Sequence, residues 1–66
     1  MQKNDICIVK RDKGRGHPKG TRVRIIMVMP KEYNETEPYL CQAEDGYTTY
    51  WYAEHELEVI EREGLI

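Results

Sequence analysis

The side chains best suited to chemistry in this chain are two cysteines and two histidines, and their spacing does not suit a metal site. Cys7 and Cys41 lie in apolar segments. His17 falls in a glycine-rich stretch, and His55 follows an aromatic one. A structural zinc site uses close pairs such as C-x-x-C or two neighbouring histidines, and the chain has neither. We therefore predict no metal and no cofactor.

Other catalytic patterns are equally incomplete. Glu54, Glu56 and Glu58 would work as an acid and base only in a cleft that raises the pKa of one of them. A chain of 66 residues seldom encloses a catalytic pocket, which usually needs about 300–1,000 Å³. The stretch KGRGHPKG has closely spaced glycines but lacks the G-K-[ST] ending and the strand and helix of a phosphate-binding loop. We expect a protein that is not an enzyme.

The length predicts one domain over residues 1–66, with its core in 5–60 and a frayed tail at 61–66. The longest apolar run, 25–29, is far shorter than the roughly 18 residues that span a bilayer. The first residues also lack the apolar centre of a signal peptide. We predict a cytoplasmic protein with no membrane contact and with Cys7 and Cys41 reduced and buried. A disulfide between them is the alternative.

Charge is distributed unevenly along the chain, although the net charge is only −2. Residues 1–31 carry nine Lys or Arg against two Asp, whereas residues 32–66 carry ten Asp or Glu against one Arg. Pairing between strands from the two halves would mix the signs, because opposite charges attract across neighbouring strands.

Period-two patterns and turn signals predict five strands. They cover residues 5–9, 21–29, 39–44, 47–53 and 57–60, with a single helical turn over 53–56. Asp45 and Gly46 predict a two-residue hairpin turn between the third and fourth strands. In the second strand, alternation places Val23, Ile25 and Met27 on one face. Its all-apolar second half is then covered on both sides or leaves a patch for a partner.

Two polar segments separate these strands. Residues 10–20, with three glycines and no apolar residue, predict a long, exposed, basic loop. Residues 30–38 are polar and bracketed by prolines, and they predict a second, acidic loop with Tyr33 at its tip.

The order of these elements resembles that of SH3-like barrels. The stretch DGYTTYWYAEHELEVI, residues 45–60, resembles their C-terminal part, where an aromatic strand runs into a turn of the form x-E-x-E-L and an apolar last strand. It is similar to small SH3-like proteins of phages and prophages, and more distantly to the variable chain of ferredoxin–thioredoxin reductase. KGTRVRII, residues 19–26, looks like the second strand of KOW-type nucleic-acid-binding barrels. The resemblance implies an all-β, five-stranded SH3-like barrel with one short helical turn before the last strand.

We predict a non-enzymatic module that binds a protein, either as a phage-encoded or as a regulatory protein. Exposed tyrosines dominate many interfaces, and acidic side chains could imitate nucleic acid or dock on a basic host protein. The candidate residues for this surface are Tyr33, Tyr50, Tyr52, Glu35, Glu37, Glu54 and Glu56. A monomer or weak dimer is expected.

Nucleic-acid binding through the basic half is the alternative function. Lysines and arginines of the first loop and second strand would contact phosphates, as in KOW-type barrels. The candidate residues are Lys10, Arg11, Lys13, Arg15, Lys19, Arg22 and Arg24.

Overall fold

The computed structural model is an all-β fold, and it describes residues 1–12, 14, 16–30, 32–33, 36–44, 46 and 48–61. Its five strands are antiparallel, and one 3-10 turn, Glu54–Glu56, precedes the last strand. The strands are β1 (Ile6–Val9), β2 (Arg22–Val28), β3 (Tyr39–Ala43), β4 (Thr49–Tyr52) and β5 (Leu57–Glu61). The predicted all-β class, strand order and single helical turn are confirmed. Asp45, Tyr47 and the predicted tail beyond Glu61 lie outside the described residues.

The strands form one sheet in the order β4-β3-β2-β1-β5. In the described residues no ladder joins β4 to β5, so the hydrogen-bonded sheet remains open where a closed barrel would connect these two edges. No helix within the described part of the chain is long and apolar enough to cross a membrane.

A bulge in β2 reverses the side-chain alternation of that strand. Ile25 pairs with Cys41 and Met27 with Leu40, so Ile26 is an extra residue in the ladder. An extra residue moves the following side chain to the opposite face. The prediction that Met27 shares a face with Val23 and Ile25 is therefore wrong: Ile25 is buried, whereas Met27 is 47% exposed.

The hairpin between β3 and β4 has the predicted cross-strand register, since Cys41 pairs with Tyr50 and Leu40 with Trp51. A two-residue turn at Asp45 and Gly46 would make Ala43 and Thr48 a non-hydrogen-bonded pair. Instead the N–H of Ala43 donates to the carbonyl of Thr48 at 3.0 Å, and the N–H of Gly46 donates to the carbonyl of Ala43 at 2.9 Å, so the prediction of a two-residue turn is wrong. Residues directly opposite each other share a face. Tyr50 therefore lies on the inner face with the buried Cys41, and Trp51 lies on the outer face with Leu40.

The core occupies the inner face. It consists of Cys7, Val9, Val23, Ile25, Cys41, Ala43, Tyr52 and Leu57. Both cysteines are free and buried, as predicted. Burial raises the pKa of the Cys41 thiol to about 12, and the nearby Cys7 acts in the same direction. Thiolates are disfavoured here because the apolar surroundings cannot solvate a charge.

The described residues between β1 and β2 are not all exposed as predicted, because His17 is buried. Its backbone N–H donates to the hydroxyl of Tyr52 at 2.7 Å, and its Nδ1 lies 2.9 Å from the same hydroxyl. Its Nε2 lies 3.1 Å from Oγ1 of Thr48. We call these contacts the His17 clamp. The prediction of full exposure fails at His17 because the clamp provides hydrogen-bond partners for its backbone N–H and both ring nitrogens.

Gly16 allows this close approach. Its φ is 81°, and a Cβ at this position would lie 2.8 Å from Cδ1 of Tyr50 and 3.0 Å from the hydroxyl of Tyr52. Only glycine combines this backbone conformation with the absence of a side chain.

The 3-10 turn is held by Glu56. Its Oε1 accepts the backbone N–H of Ala53 at 2.9 Å, and its own N–H donates to the carbonyl of Ala53 at 3.1 Å. Glu56 is consequently buried, so the prediction that it belongs to an exposed acidic surface is wrong. Its carboxylate replaces the missing Ser, Thr, Asp or Asn cap by satisfying a backbone donor at the start of the turn.

Replacing Gly16 with alanine should destabilise the protein strongly. The new methyl group strains the positive φ and collides with the ring of Tyr50, so we expect a loss of about 2–4 kcal/mol in the free energy of unfolding. Gly14→Ala is the matched control, because Gly14 has a φ of 77° but nothing within 4 Å. It should lose only about 1 kcal/mol. Urea unfolding measures both, and equal losses would contradict the proposed collision.

Tyr52→Phe should remove the centre of the His17 clamp without changing the apolar core. The backbone N–H of His17 loses its acceptor, and Nδ1 of His17 loses its hydrogen-bond partner. The free energy of unfolding should fall by about 1–3 kcal/mol. Amide hydrogen exchange at His17 should accelerate in the same variant. Tyr33→Phe, at a tyrosine that is 75% exposed, should change stability by less than about 0.5 kcal/mol. Unchanged exchange at His17 would refute the clamp.

The raised pKa of Cys41 predicts a loss of stability at alkaline pH. The unfolded thiol ionises near 9 and the folded one near 12, so the unfolded state alone releases a proton between these values. Stability should therefore fall as pH rises through this window, by up to about 1.4 kcal/mol per pH unit. Urea unfolding of the wild type and Cys41→Ala at several pH values isolates this contribution. If the free energy of unfolding fell equally with pH in the two proteins, Cys41 would not contribute to the loss.

Candidate functional site

The outer face of the sheet carries an apolar row across three strands. Met27 pairs with Leu40, and Leu40 pairs with Trp51, so their side chains lie beside one another on the face that points away from the core. Met27 is exposed, and Leu40 and Trp51 are half-buried. None of the three belongs to the core or to the partly buried side chains that pack against it. These residues are the apolar row, and an apolar row of this kind is suited to contact another molecule.

The next rows of the outer face are charged. Arg22 forms ion pairs with Glu44, at 2.8 Å, and with Glu61, at 3.1 Å. Arg24 pairs with Gln42 across the ladder and is exposed. Arg22 is therefore neutralised by two carboxylates, while Arg24, one row closer to Met27, makes no ion pair within the described residues.

A cleft of about 510 Å³ adjoins Met27 at the end of the apolar row. Its walls are formed by the first three residues of the chain and by the bulged part of β2. The lining residues are Met1, Gln2, Lys3, Ile26, Met27 and Val28. The backbone N–H of Asn4 donates to the carbonyl of Ile25 at 2.7 Å, which holds the N-terminal residues against β2. Lys3 consequently lies beside the exposed end of the apolar row.

A second cleft, of about 570 Å³, lies where the His17 clamp meets the β3–β4 hairpin. It is lined by residues that include His17, Pro18, Thr48, Thr49 and Tyr50. Tyr50 is half-buried here and packs edge-on against Tyr52, with ring centroids 5.6 Å apart. Of the side chains lining this cleft, those of His17 and Thr48 are already bonded to each other in the clamp.

The residues predicted to form a protein-binding surface do not lie together. Tyr33 is exposed on the loop after β2, Glu37 is half-buried on the same loop, and Glu54 is exposed in the 3-10 turn. Tyr50 and Tyr52 face inward, and Tyr52 is completely buried, so the prediction that they point outward is wrong. Burial and the negative charge of Glu54 both raise the pKa of Tyr39. Glu56 holds the turn, and Glu35 lies outside the described residues.

The predicted nucleic-acid surface is divided in a similar way. Lys10, Arg11 and Lys19 are exposed on the loop between β1 and β2. Arg22 and Arg24 project from the outer face, but Arg22 is engaged by two glutamates. Lys13 and Arg15 lie outside the described residues.

In the described ranges no three His, Cys, Asp or Glu side chains gather in a way that could hold a metal ion. Every buried side-chain nitrogen and oxygen among the same residues has a hydrogen-bond partner. What the outer face offers is an apolar contact surface next to an unpaired cation.

The sequence analysis does not predict the apolar row, although the outward positions of Leu40 and Trp51 follow from the hairpin register. The hairpin register places Leu40 opposite Trp51 and on the face away from Cys41. A buried Cys41 therefore implies an outward Trp51. Met27 carries no such signal, because the run of apolar residues at 25–29 gives no alternation in which a bulge would be visible.

No protein-family model matches this chain, and neither a curated protein nor a solved structure matches it.

Proposed function

We propose that this chain is a non-enzymatic module that binds a protein through the outer face of its sheet. The observation that carries the proposal is the apolar row of Met27, Leu40 and Trp51 on the face opposite the core. Methionine and tryptophan are enriched at protein interfaces, where a few such side chains supply most of the binding energy. Placing them outside the core leaves apolar area that a partner can cover.

The fold resemblance is consistent with this role. Five strands in the order β4-β3-β2-β1-β5 with a 3-10 turn before β5 support the proposed likeness to small SH3-like barrels of phages. Such barrels serve many unrelated functions, so the proposal of protein binding rests on the apolar row and not on the fold. We propose a cytoplasmic monomer or weak dimer that docks on a host or regulatory partner.

Nucleic-acid binding remains a second proposal, supported by the exposed Lys10, Arg11 and Lys19 on one loop. Phosphate contacts by these residues would give an affinity that falls steeply with salt. The ion pairs of Arg22 weaken this alternative, because Glu44 and Glu61 place negative charge beside the β2 arginines.

Selection from a displayed library of random 12-residue peptides tests the protein-binding proposal. We expect selected peptides to bind the wild-type chain and to lose about tenfold or more in affinity for Met27→Ser, since truncating an interface anchor has effects of this size. Ile60→Ser is the matched control, because Ile60 is also 47% exposed but lies on β5. NMR spectra verify that both variants are folded.

Two results would contradict the proposal. One is a library that yields no peptide sensitive to Met27→Ser. The other is tight, salt-dependent binding of a single- or double-stranded oligonucleotide that is lost with Lys10→Glu but kept with Met27→Ser, which would favour the nucleic-acid alternative.

A further inference from the structure

We infer that the apolar row takes an acidic amphipathic segment of its protein partner, with apolar side chains over Leu40 and Trp51 and carboxylates toward Lys3 and Arg24. This inference rests on the proposed function and adds the chemistry of the partner. It depends on the positions of the charges that border the row.

Within the described part of the chain, two cations that make no ion pair, Lys3 and Arg24, lie at one end of the apolar row. Lys3 lines the cleft that Met27 also lines, and Arg24 lies on the outer face in the neighbouring row. Both side chains are exposed, and neither makes an ion pair or hydrogen bond with any residue that the structure describes. An exposed cation beside apolar surface attracts a carboxylate, and guanidinium binds one with two hydrogen bonds.

The charges farther from the row favour a short acidic segment over a polyanion. Arg22 is already bonded to Glu44 and Glu61, and Glu61 faces Arg24 across a small cleft lined also by Asn4 and Ile6. A nucleic-acid backbone or an anionic membrane would bring phosphates against these two glutamates. A peptide with only one or two carboxylates, placed on the Met27 side of Arg24, brings much less negative charge against these glutamates.

The geometry also orients the segment. Neighbouring strands lie about 4.8 Å apart, so the row extends about 10 Å across β4, β3 and β2. Lys3 and Arg24 both lie at the β2 end of the row. At the β4 end, the residue beside the row is the uncharged Thr49, which pairs with Gln42. The partner should therefore present its apolar groups over β3 and β4 and its acidic groups over β2.

The 12-residue peptide library tests the chemistry as well as the site. Peptides selected on the wild-type chain should contain Asp or Glu next to apolar or aromatic residues. Arg24→Glu should weaken the best of them about tenfold, and a selection repeated on Lys3→Glu/Arg24→Glu should favour Lys or Arg instead. Lys10→Glu is the matched control, because it reverses one exposed charge on the loop after β1 and should leave affinity and selection unchanged.

The outcomes separate this inference from the proposed function. Peptides that depend on Met27 but show no acidic preference would overturn the inference and leave the binding module intact. Selected peptides that bind the wild type and Met27→Ser with equal affinity would overturn both the inference and the proposed function. Sedimentation velocity that detects a dimer abolished by Met27→Ser would assign the row to a second copy of the chain. Binding to phosphatidylglycerol vesicles or to oligonucleotides that is lost in Lys3→Glu/Arg24→Glu would show that the two cations bind phosphates. Either the dimer or this phosphate binding would refute the inference that the row takes an acidic peptide segment.

Discussion

The alternation of side chains along the three central strands determines what this small sheet presents to solvent. Each residue of a strand faces in or out, and one extra residue exchanges the two faces for everything that follows. In β2 the extra residue is Ile26, which moves Met27 outward. In the β3–β4 hairpin the turn at Gly46 brings Leu40 and Trp51 to the same side. These two local features decide which side chains form the apolar row. Without the bulge Met27 would face the core, and Ile26 would take its place beside Leu40 on the outer face.

The inner side depends on a different kind of contact. Residues 10–20 contain no apolar side chain, so burial of apolar area cannot hold this loop against the sheet. The hydroxyl of Tyr52 does so instead, by accepting the backbone N–H of His17 and by meeting its ring nitrogen. Gly16 lets the chain approach the rings of Tyr50 and Tyr52 closely enough for these bonds to form. A tyrosine is well suited to this position because its ring contributes to the apolar core while its hydroxyl satisfies polar groups at the core's edge.

Much of the fold can be predicted from the sequence because local patterns specify it. β-branched and aromatic segments between turn residues mark the strands, and the Asp-Gly pair in the sequence predicts the correct cross-strand register of the hairpin. That register, combined with a buried Cys41, places Tyr50 on the inner face and Trp51 on the outer face. The prediction that Tyr50 belongs to an exposed binding surface therefore conflicts with the predicted register itself. The bulge at Ile26 was not predictable, since neighbouring residues are all apolar and either face would accept them. The His17 clamp joins positions 31 and 35 residues apart, and contacts of this range leave no periodic trace in the sequence.

The sheet order also explains why the uneven charge of the sequence does not become two opposite faces. β2, from the basic half, lies between β3 and β1, and β1 pairs with β5 from the acidic half. Arg22 therefore meets one glutamate from each side, Glu44 after β3 and Glu61 on β5. Each exposed pair adds little stability, about 0–1 kcal/mol, but together they cancel charge at the centre of the outer face. Among the described residues beside the apolar row, Lys3 and Arg24 make no ion pair, although Glu61 lines a small cleft together with Arg24. A molecule that contacted this end of the row would therefore meet positive charge first, although the chain as a whole carries −2. Nearby cations act more strongly than distant acidic residues, because solvent and salt screen charges over distance.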